Sequence, residues 1–422
     1  MTLILSFFVP FPKFHWRAGA TPPDAAQQQQ QQQQAYVDHA LRLRKPLHRL
    51  LDMARKTETT GYFKWAQRIG QDIVEATVHV PRNDVVLDRW GFDTTITMVL
   101  PPTGTVPIHV AFPVGLLPTT IAVPKEEARN DGGCLELRDD NTTILQHLAA
   151  DTPVVVFVHG GGLTVGTARM EECVDLLHQM DTEQLKNVIY VTIDYSLAPE
   201  FSFPTAVLEI HSVLTMLLER FTAISLVGIS AGGLLALSVG WQMLRENKRL
   251  RSIMALCPMV DPAADSPSYY QHGKNLAVPT HWLRWSWRRY LGVSEPEAAH
   301  EKEPQASDTR ALLAVGSNRH VWEASHWYKS TTVRRLVHPN MNLPLALQGE
   351  EAPRIVISTN SADPLHDEGV ALVEQLRSHG AAVTHLDHRG SHFVGTMLDA
   401  QGGLKELLEE FRQNVFGTSN IA

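Results

Sequence analysis

From residue 153 onward the chain repeats an alternation that few folds can satisfy: a short apolar, β-branched run, then a helix-length amphipathic stretch. The runs are Pro153–Val158, Val188–Ile193, Ile224–Val227, Ile253–Leu256 and Arg354–Ile357. None alternates polar with apolar, which is the pattern of strands buried on both faces. Between or after them, Glu171–Met180, Ala206–Arg220, Gly233–Arg245 and Asp367–His379 carry apolar residues at helical spacing. Strand–helix repetition of this kind predicts right-handed crossovers, hence an α/β protein with a mostly parallel central sheet flanked by helices.

The chain upstream is organised differently. Residues 1–34 read as an apolar leader followed by a disordered Gln-rich segment, because the run Gln27–Gln34 has no apolar area to bury. Residues 35–422 read as one folded unit. Ala35 to Gln71 is expected to be helical, with a break at Pro46, and Ile73 to Gly115 shortens to period two, as antiparallel strands do. Residues 116–152 have turn chemistry (Asn130-Asp131-Gly132-Gly133) and read as a surface insertion. Residues 260–353 are too long for one crossover and hold Trp282, Trp285, Trp287, Tyr290, Trp322, Trp327 and Tyr328. They are expected to form a cap-like helical excursion above the carboxyl ends of the strands, where α/β proteins bind ligands, with most of the aromatics anchoring it to the core.

The third run ends in Gly228-Ile229-Ser230-Ala231-Gly232-Gly233, and a helical pattern follows at once. G-x-S-x-G between strand and helix is a nucleophile elbow: the turn is tight, Ser230 is strained, and its hydroxyl projects at a helix amino end that favours developing negative charge. The first run ends in His159-Gly160-Gly161-Gly162. Glycines leave backbone N–H groups uncovered, as stabilisation of a tetrahedral oxyanion requires, and the N–H of Ala231 completes the set. A dinucleotide-binding loop would need G-x-G-x-x-G, which is not met.

A serine nucleophile needs a base, and the base an orienter. Asp363 follows the fifth run and is placed to hold an imidazole. His392, after the short strand Val383–Leu386 and a glycine turn, is the expected base, with His388 in reserve. Asp367 and Glu368 read as first-turn residues of the next helix. His385, His388 and His392 imitate a metal cluster, but carboxylate or Cys partners at ligand spacing are not evident, so neither metal nor cofactor is expected.

These motifs together resemble the hormone-sensitive-lipase-like (arylacetamide-deacetylase-like) family of serine esterases. The resemblance rests on His159-Gly160-Gly161-Gly162, Tyr195-Ser196-Leu197-Ala198-Pro199-Glu200, Gly228-Ile229-Ser230-Ala231-Gly232-Gly233 and Asp363-Pro364-Leu365-His366-Asp367-Glu368-Gly369, and with His392 covers residues 150–400. It implies an α/β-hydrolase fold with a helical cap and cofactor-free hydrolysis of short- to medium-chain acyl esters or amides. It also implies Ser230 as nucleophile, Asp363 as acid, His392 as base, Gly161, Gly162 and Ala231 as oxyanion donors, Gly160 as the shaper of their loop, and Tyr195–Glu200 as a buttressing turn. Two departures stand out. Ile229 occupies the elbow position where the family usually has Asp, and Phe393 directly follows the histidine where Gly-Phe is common.

The expected function is carboxylic-ester hydrolysis through an acyl-enzyme, on a small-molecule ester that the cap's aromatics suggest is apolar. An amidase or formamidase would use the same triad, and an inert small-molecule-binding protein could share the scaffold. Composition narrows the partners. With 37 Lys+Arg against 45 Asp+Glu the net charge is −8, which gives no reason to seek nucleic acid. The three cysteines, Cys134, Cys173 and Cys257, form no CxxC pair and suit a reducing, cytoplasmic setting. The apolar stretch Leu3–Phe11 contains Pro10 and is far short of the about twenty residues of a spanning helix, leaving only peripheral membrane contact.

Overall fold

Valine and isoleucine fit a pleated surface better than a helix, where their branched side chains are held to one rotamer. Here they build a nine-stranded sheet. A computed structural model describes residues 62, 64–92, 100–119, 135–137, 143–168, 182–273, 278–293, 317–341, 343–349, 351–392 and 403–416. The 1–34 segment, most of the 35–71 helix, the Asn130–Gly133 turn and the Glu171–Met180 helix lie outside the described residues.

The strands are β1 (Ile73–Pro81), β2 (Thr105–Pro113), β3 (Leu135–Leu137), β4 (Val154–Val158), β5 (Ile189–Ile193), β6 (Ile224–Ile229), β7 (Ser252–Leu256), β8 (Arg354–Asn360) and β9 (Val383–His388). Their order is β3-β1-β2-β5-β4-β6-β7-β8-β9. The six strands from β5 to β9 are mutually parallel, and β2 runs antiparallel to both β1 and β5. The chain leaves β4 for β5 on one side and leaves β6 for β7 on the other. The carboxyl ends of neighbouring β4 and β6 therefore flank a topological switch point, where open α/β sheets form a crevice.

Five helices position the site: α1 (Thr205–Arg220), α2 (Ala231–Arg245), α3 (Thr280–Tyr290), α4 (His366–Ser378) and α5 (Gly403–Phe416). Alternate residues of the central strands feed two separate cores. Val154, Val156, Ile224 and Leu226 pack with Leu208 and Leu214 of α1 and Leu234 and Leu237 of α2. Val155, Phe157, Val227 and Ile229 face the other way, onto Trp65 and Ile69 and onto Leu407, Phe411 and Val415 of α5. Both faces are dry, which is why these runs lack polar alternation.

The segment read as a surface insertion does more than that. Its Leu135–Leu137 pairs parallel with β1 at the sheet edge, and Leu145 and Leu148 are buried. Three residues are too short a strand to show a period. Within 260–353 the described chain is helical: Pro267–Gln271, α3, Arg319–Ala324, His326–Lys329 and Thr331–Val337. Trp285, Trp287, Tyr290, Trp322 and Trp327 are buried there, with Trp327 edge-on to Phe203 at 5.1 Å, while Trp282 and Tyr328 are half-buried.

Candidate active site

The elbow begins where β6 runs out of room. A Cβ on Gly228 would lie 2.1 Å from the Gly232 carbonyl oxygen, and one on Gly232 would lie 2.1 Å from that of Val158. Only glycine lets the turn close against β4. Between them Ser230 takes φ 56° and ψ −118°, a conformation costly for any residue with a side chain. Its N–H donates to Leu256 O at 2.8 Å, and its carbonyl accepts from Gly233 and Leu234 in the first turn of α2 and from Met259. The backbone thus fixes Ser230 at the head of a fifteen-residue helix.

The glycine loop after β4 lies against that elbow: a Cβ on Gly160 would lie 3.3 Å from Ser230 Cβ. Gly161 and Gly162 have φ 109° and 57°, and a Cβ on Gly161 would meet Val165 O at 1.9 Å. Among the described residues no backbone carbonyl accepts from the amides of Gly161, Gly162 or Ala231. Two of these amides lie in the loop that touches Ser230, and the third belongs to the residue that follows it.

His159 braces the loop without reacting. Its Nδ1 donates to Gly160 O at 2.7 Å, its ring stacks on Tyr195 at 4.2 Å, and Tyr195 Oη donates to His159 O at 2.9 Å. Burial pushes its pKa down, so the ring is neutral with Nδ1 carrying the proton. The Tyr195–Glu200 turn supplies a further tie, Ala198 N–H to Leu163 O at 2.9 Å. The turn is itself held by Glu209 of α1, which accepts from Ser196 N at 2.6 Å and Ser196 Oγ at 2.7 Å. Burial raises Glu209 to about 7, against the pull of those two donors.

Asp363, at the end of β8, is fully buried, and its Oδ2 accepts from His392 Nδ1 at 2.6 Å. Its Oδ1 accepts from Leu365 N at 3.0 Å, which fixes the carboxylate plane. His388, the reserve, ends β9, and its carbonyl accepts from Ser361 N; the ring that meets Asp363 is that of His392. Hydrogen bonding thus fixes the carboxylate–imidazole pair, whereas Ser230 is placed by its backbone, two strands away across β7.

Two features escaped sequence reasoning. Cys257, a buried thiol in no disulfide, directly after β7 with φ 46°, has its Sγ within 4.8 Å of ligand atoms of both Asp363 and His392. Among the described residues this is the only grouping of metal-ligating side chains, and it shares just His392 with the histidine trio read from sequence. Its atoms are already engaged: Asp363 with His392, and Cys257 Sγ with Asn360 Nδ2 at 2.9 Å. His385 instead meets Thr359 Oγ1 at 2.9 Å. The position of Cys257 straight after a buried run was the available signal.

The second is how the Asp363 loop is tied to the root of the cap-like segment. Ser268 N donates to Asp367 Oδ2 at 2.9 Å, Ser268 Oγ to Pro364 O at 2.7 Å, and Val260 N to Glu368 Oε1 at 2.7 Å. Asp367 and Glu368 do sit in the first turn of α4, but Glu368 is fully buried. Burial, with Asp261 nearby, pushes its pKa well above the usual carboxylate range. It is a neutral clamp.

Comparisons with known proteins bear on the fold and the kind of protein this chain resembles. The sequence pattern of the α/β-hydrolase fold matches residues 155–313. Arylacetamide deacetylase of Oryctolagus cuniculus is 25% identical over 318 residues, 61% of this chain and 76% of that protein. Ethyl acetate hydrolase of Pseudomonas putida is 24% identical over 277 residues, covering 62% and 73%. Neutral cholesterol ester hydrolase 1 of Mus musculus is 28% identical over 281 residues, covering 58% and 67%. Among solved structures, esterase LipW from Mycobacterium marinum superposes with a TM-score of 0.55 at 16% identity, covering 90% of this chain and 91% of that one. A bacterial heroin esterase gives 0.52 at 20% identity, covering 81% and 84%; both likenesses speak to the fold.

Proposed function

We propose, from the likeness of the chain to the hormone-sensitive-lipase-like α/β-hydrolases, that Ser230, His392 and Asp363 hydrolyse carboxylic esters through an acyl-enzyme. The observation that carries this reading is the 2.6 Å Asp363–His392 contact, on the same carboxyl edge of the sheet as a strained serine and three bare amides. Strands β6 and β8 are two strand spacings, roughly 10 Å, apart. A carboxylate, an imidazole and a hydroxyl in series fill such a gap. With Nδ1 committed to Asp363, His392 presents Nε2 as the free base.

His392 Nε2 takes the proton of Ser230 Oγ as that oxygen attacks the ester carbonyl, and returns it to the leaving alcohol. The amides of Gly161, Gly162 and Ala231 hold the negative oxygen in both tetrahedral intermediates. Water, activated by the same imidazole, then releases the acid. Asp363 keeps the ring in the Nδ1–H tautomer throughout.

Ser230→Ala is expected to cut turnover of a p-nitrophenyl short-chain ester by about 10³-fold or more and to abolish labelling by a fluorophosphonate. Wild-type protein that the probe leaves unlabelled would instead indicate an inert binding protein. A panel pairing each ester with its amide separates esterase from amidase. The physiological ester is expected to be small and apolar. A reducing, cytoplasmic setting is in keeping with Cys257 being in no disulfide, and no helix among the described residues is long and apolar enough to cross a membrane.

A further inference from the structure

Helix α3 crosses directly over the glycine loop. A Cβ on Gly162 would lie 2.9 Å from both Cζ2 and Cη2 of Trp282 and 3.1 Å from Ser286 Oγ. Ser286 Oγ also lies 3.5 Å from Thr164 Oγ1, two residues further along the same loop. The same loop touches the elbow through Gly160 and Ser230 Cβ, so it is in contact with both Ser230 and the six-membered edge of an indole.

Trp282 differs from the aromatics around it. On the same helix Trp285, Trp287 and Tyr290 are buried, and Trp287 and Tyr290 belong to the main core. Trp282 is half-buried: it packs against the main core, one edge of its indole rests on Gly162, and part of its surface stays exposed. Packing accounts for part of this ring, and the part left exposed beside a proposed oxyanion donor is open to contact with substrate. A substrate whose carbonyl oxygen reaches the amides of Gly161 and Gly162 brings a substituent of its carbonyl carbon alongside that ring.

We propose that Trp282 is a specificity-determining residue, whose indole bounds the space beside the oxyanion and selects esters with a compact apolar group there over bulky ones. The inference rests on the ester-hydrolase reading above. Its chemistry is steric and dispersive: the ring gives a small apolar group a flat surface to lie on and leaves no volume for a longer one.

The test measures kcat/KM for two ester series on wild type, Trp282→Ala and Trp282→Phe. One series lengthens the acyl chain from acetate to octanoate on p-nitrophenol; the other enlarges the alcohol from methyl to naphthyl on acetate. Trp282→Ala is expected to raise the bulky-to-compact ratio in one series by about tenfold, and Trp282→Phe by less, the scale of discrimination an apolar pocket commands. A merely structural role would lower all substrates in parallel, and ratios within twofold of wild type in both series overturn the proposal. Should Trp282→Ala lose fluorophosphonate labelling through misfolding, the Trp282→Phe ratio decides. Wild type that hydrolyses nothing in either series sinks the esterase reading, and this inference with it.

Discussion

Ser230 is bound to its conformation by neighbours that cannot move. At φ 56° and ψ −118° it carries a strain that a residue without Cβ would not feel. Ser230→Gly removes it. Relief of about 1–3 kcal/mol, less the about 0.5–1 kcal/mol of extra chain entropy that glycine loses on folding, leaves a net gain of about 1 kcal/mol. The Ser230→Gly protein is therefore expected to be more stable than wild type, and more stable than Ser230→Ala, in urea unfolding. Equal midpoints for all three would show the elbow to be unstrained. Asp363 invites the complementary experiment. Asp363→Asn keeps size and shape but can hold the ring in the wrong tautomer, so kcat is expected to fall by about 10³–10⁴-fold with the fold intact. Retained far-UV circular dichroism alongside undiminished turnover would remove Asp363 from the mechanism.

Among the elements, loops that end neighbouring strands brace one another. The Asp363 loop and the root of the cap-like segment are clamped by Ser268, Asp367 and Glu368. Because burial keeps Glu368 protonated, Glu368→Gln exchanges one neutral acceptor for another and is expected to cost under about 1 kcal/mol. Glu368→Ala strands the Val260 N–H and opens a cavity, and is expected to cost about 2–4 kcal/mol. Equal losses for the two variants would mean that the charged form, not the shape, holds the clamp. Glu368 also shows what sequence could and could not reveal. The strands β4 to β8, helices α1, α2 and α4, and the motifs around Ser230, Asp363 and His392 were legible, since period, turn chemistry and chain order are local or ordered signals. Strand β3 was not, because three residues carry no period. The ties from Ser268 to Asp367, 99 residues apart, and from Trp282 to Gly162 were not, because contacts of high sequence separation leave no pattern in a single chain. His211 shows the same: its partners, Trp90 edge-on at 4.8 Å and Glu246 at 2.9 Å, come from distant segments.

For the whole molecule, two glutamates, Glu209 buried and Glu246 half-buried, pull stability in opposite directions with pH. Burial alone would raise Glu246, but donors from His211, Gln242 and Trp90 outweigh it and hold it at about 2. A depressed acid contributes stability above its unfolded value near 4.5, and that contribution is lost as pH falls toward 2. Glu209 has the other sign. Burial lifts it to about 7, so between pH 4.5 and 7 the native state keeps a proton that the unfolded chain has released. Stability from this group is full below 4.5, declines as pH rises, and levels off above 7; a shift of this size corresponds to a loss on the order of 3 kcal/mol. The place of this loss matters. Glu209 holds Ser196, next to the tyrosine that braces the glycine loop after β4, so raising the pH puts a desolvated charge beneath the loop's buttress. Glu209→Gln cannot ionise and can still accept from Ser196 N. Its unfolding free energy, measured in urea at pH 5, 6, 7 and 8, is expected to fall less steeply than that of wild type. Glu368, also raised, leaves a residual slope of the same sign in both proteins. Parallel curves for wild type and Glu209→Gln would mean that Glu209 is already ionised in the folded protein at pH 5, with its two Ser196 donors outweighing its burial.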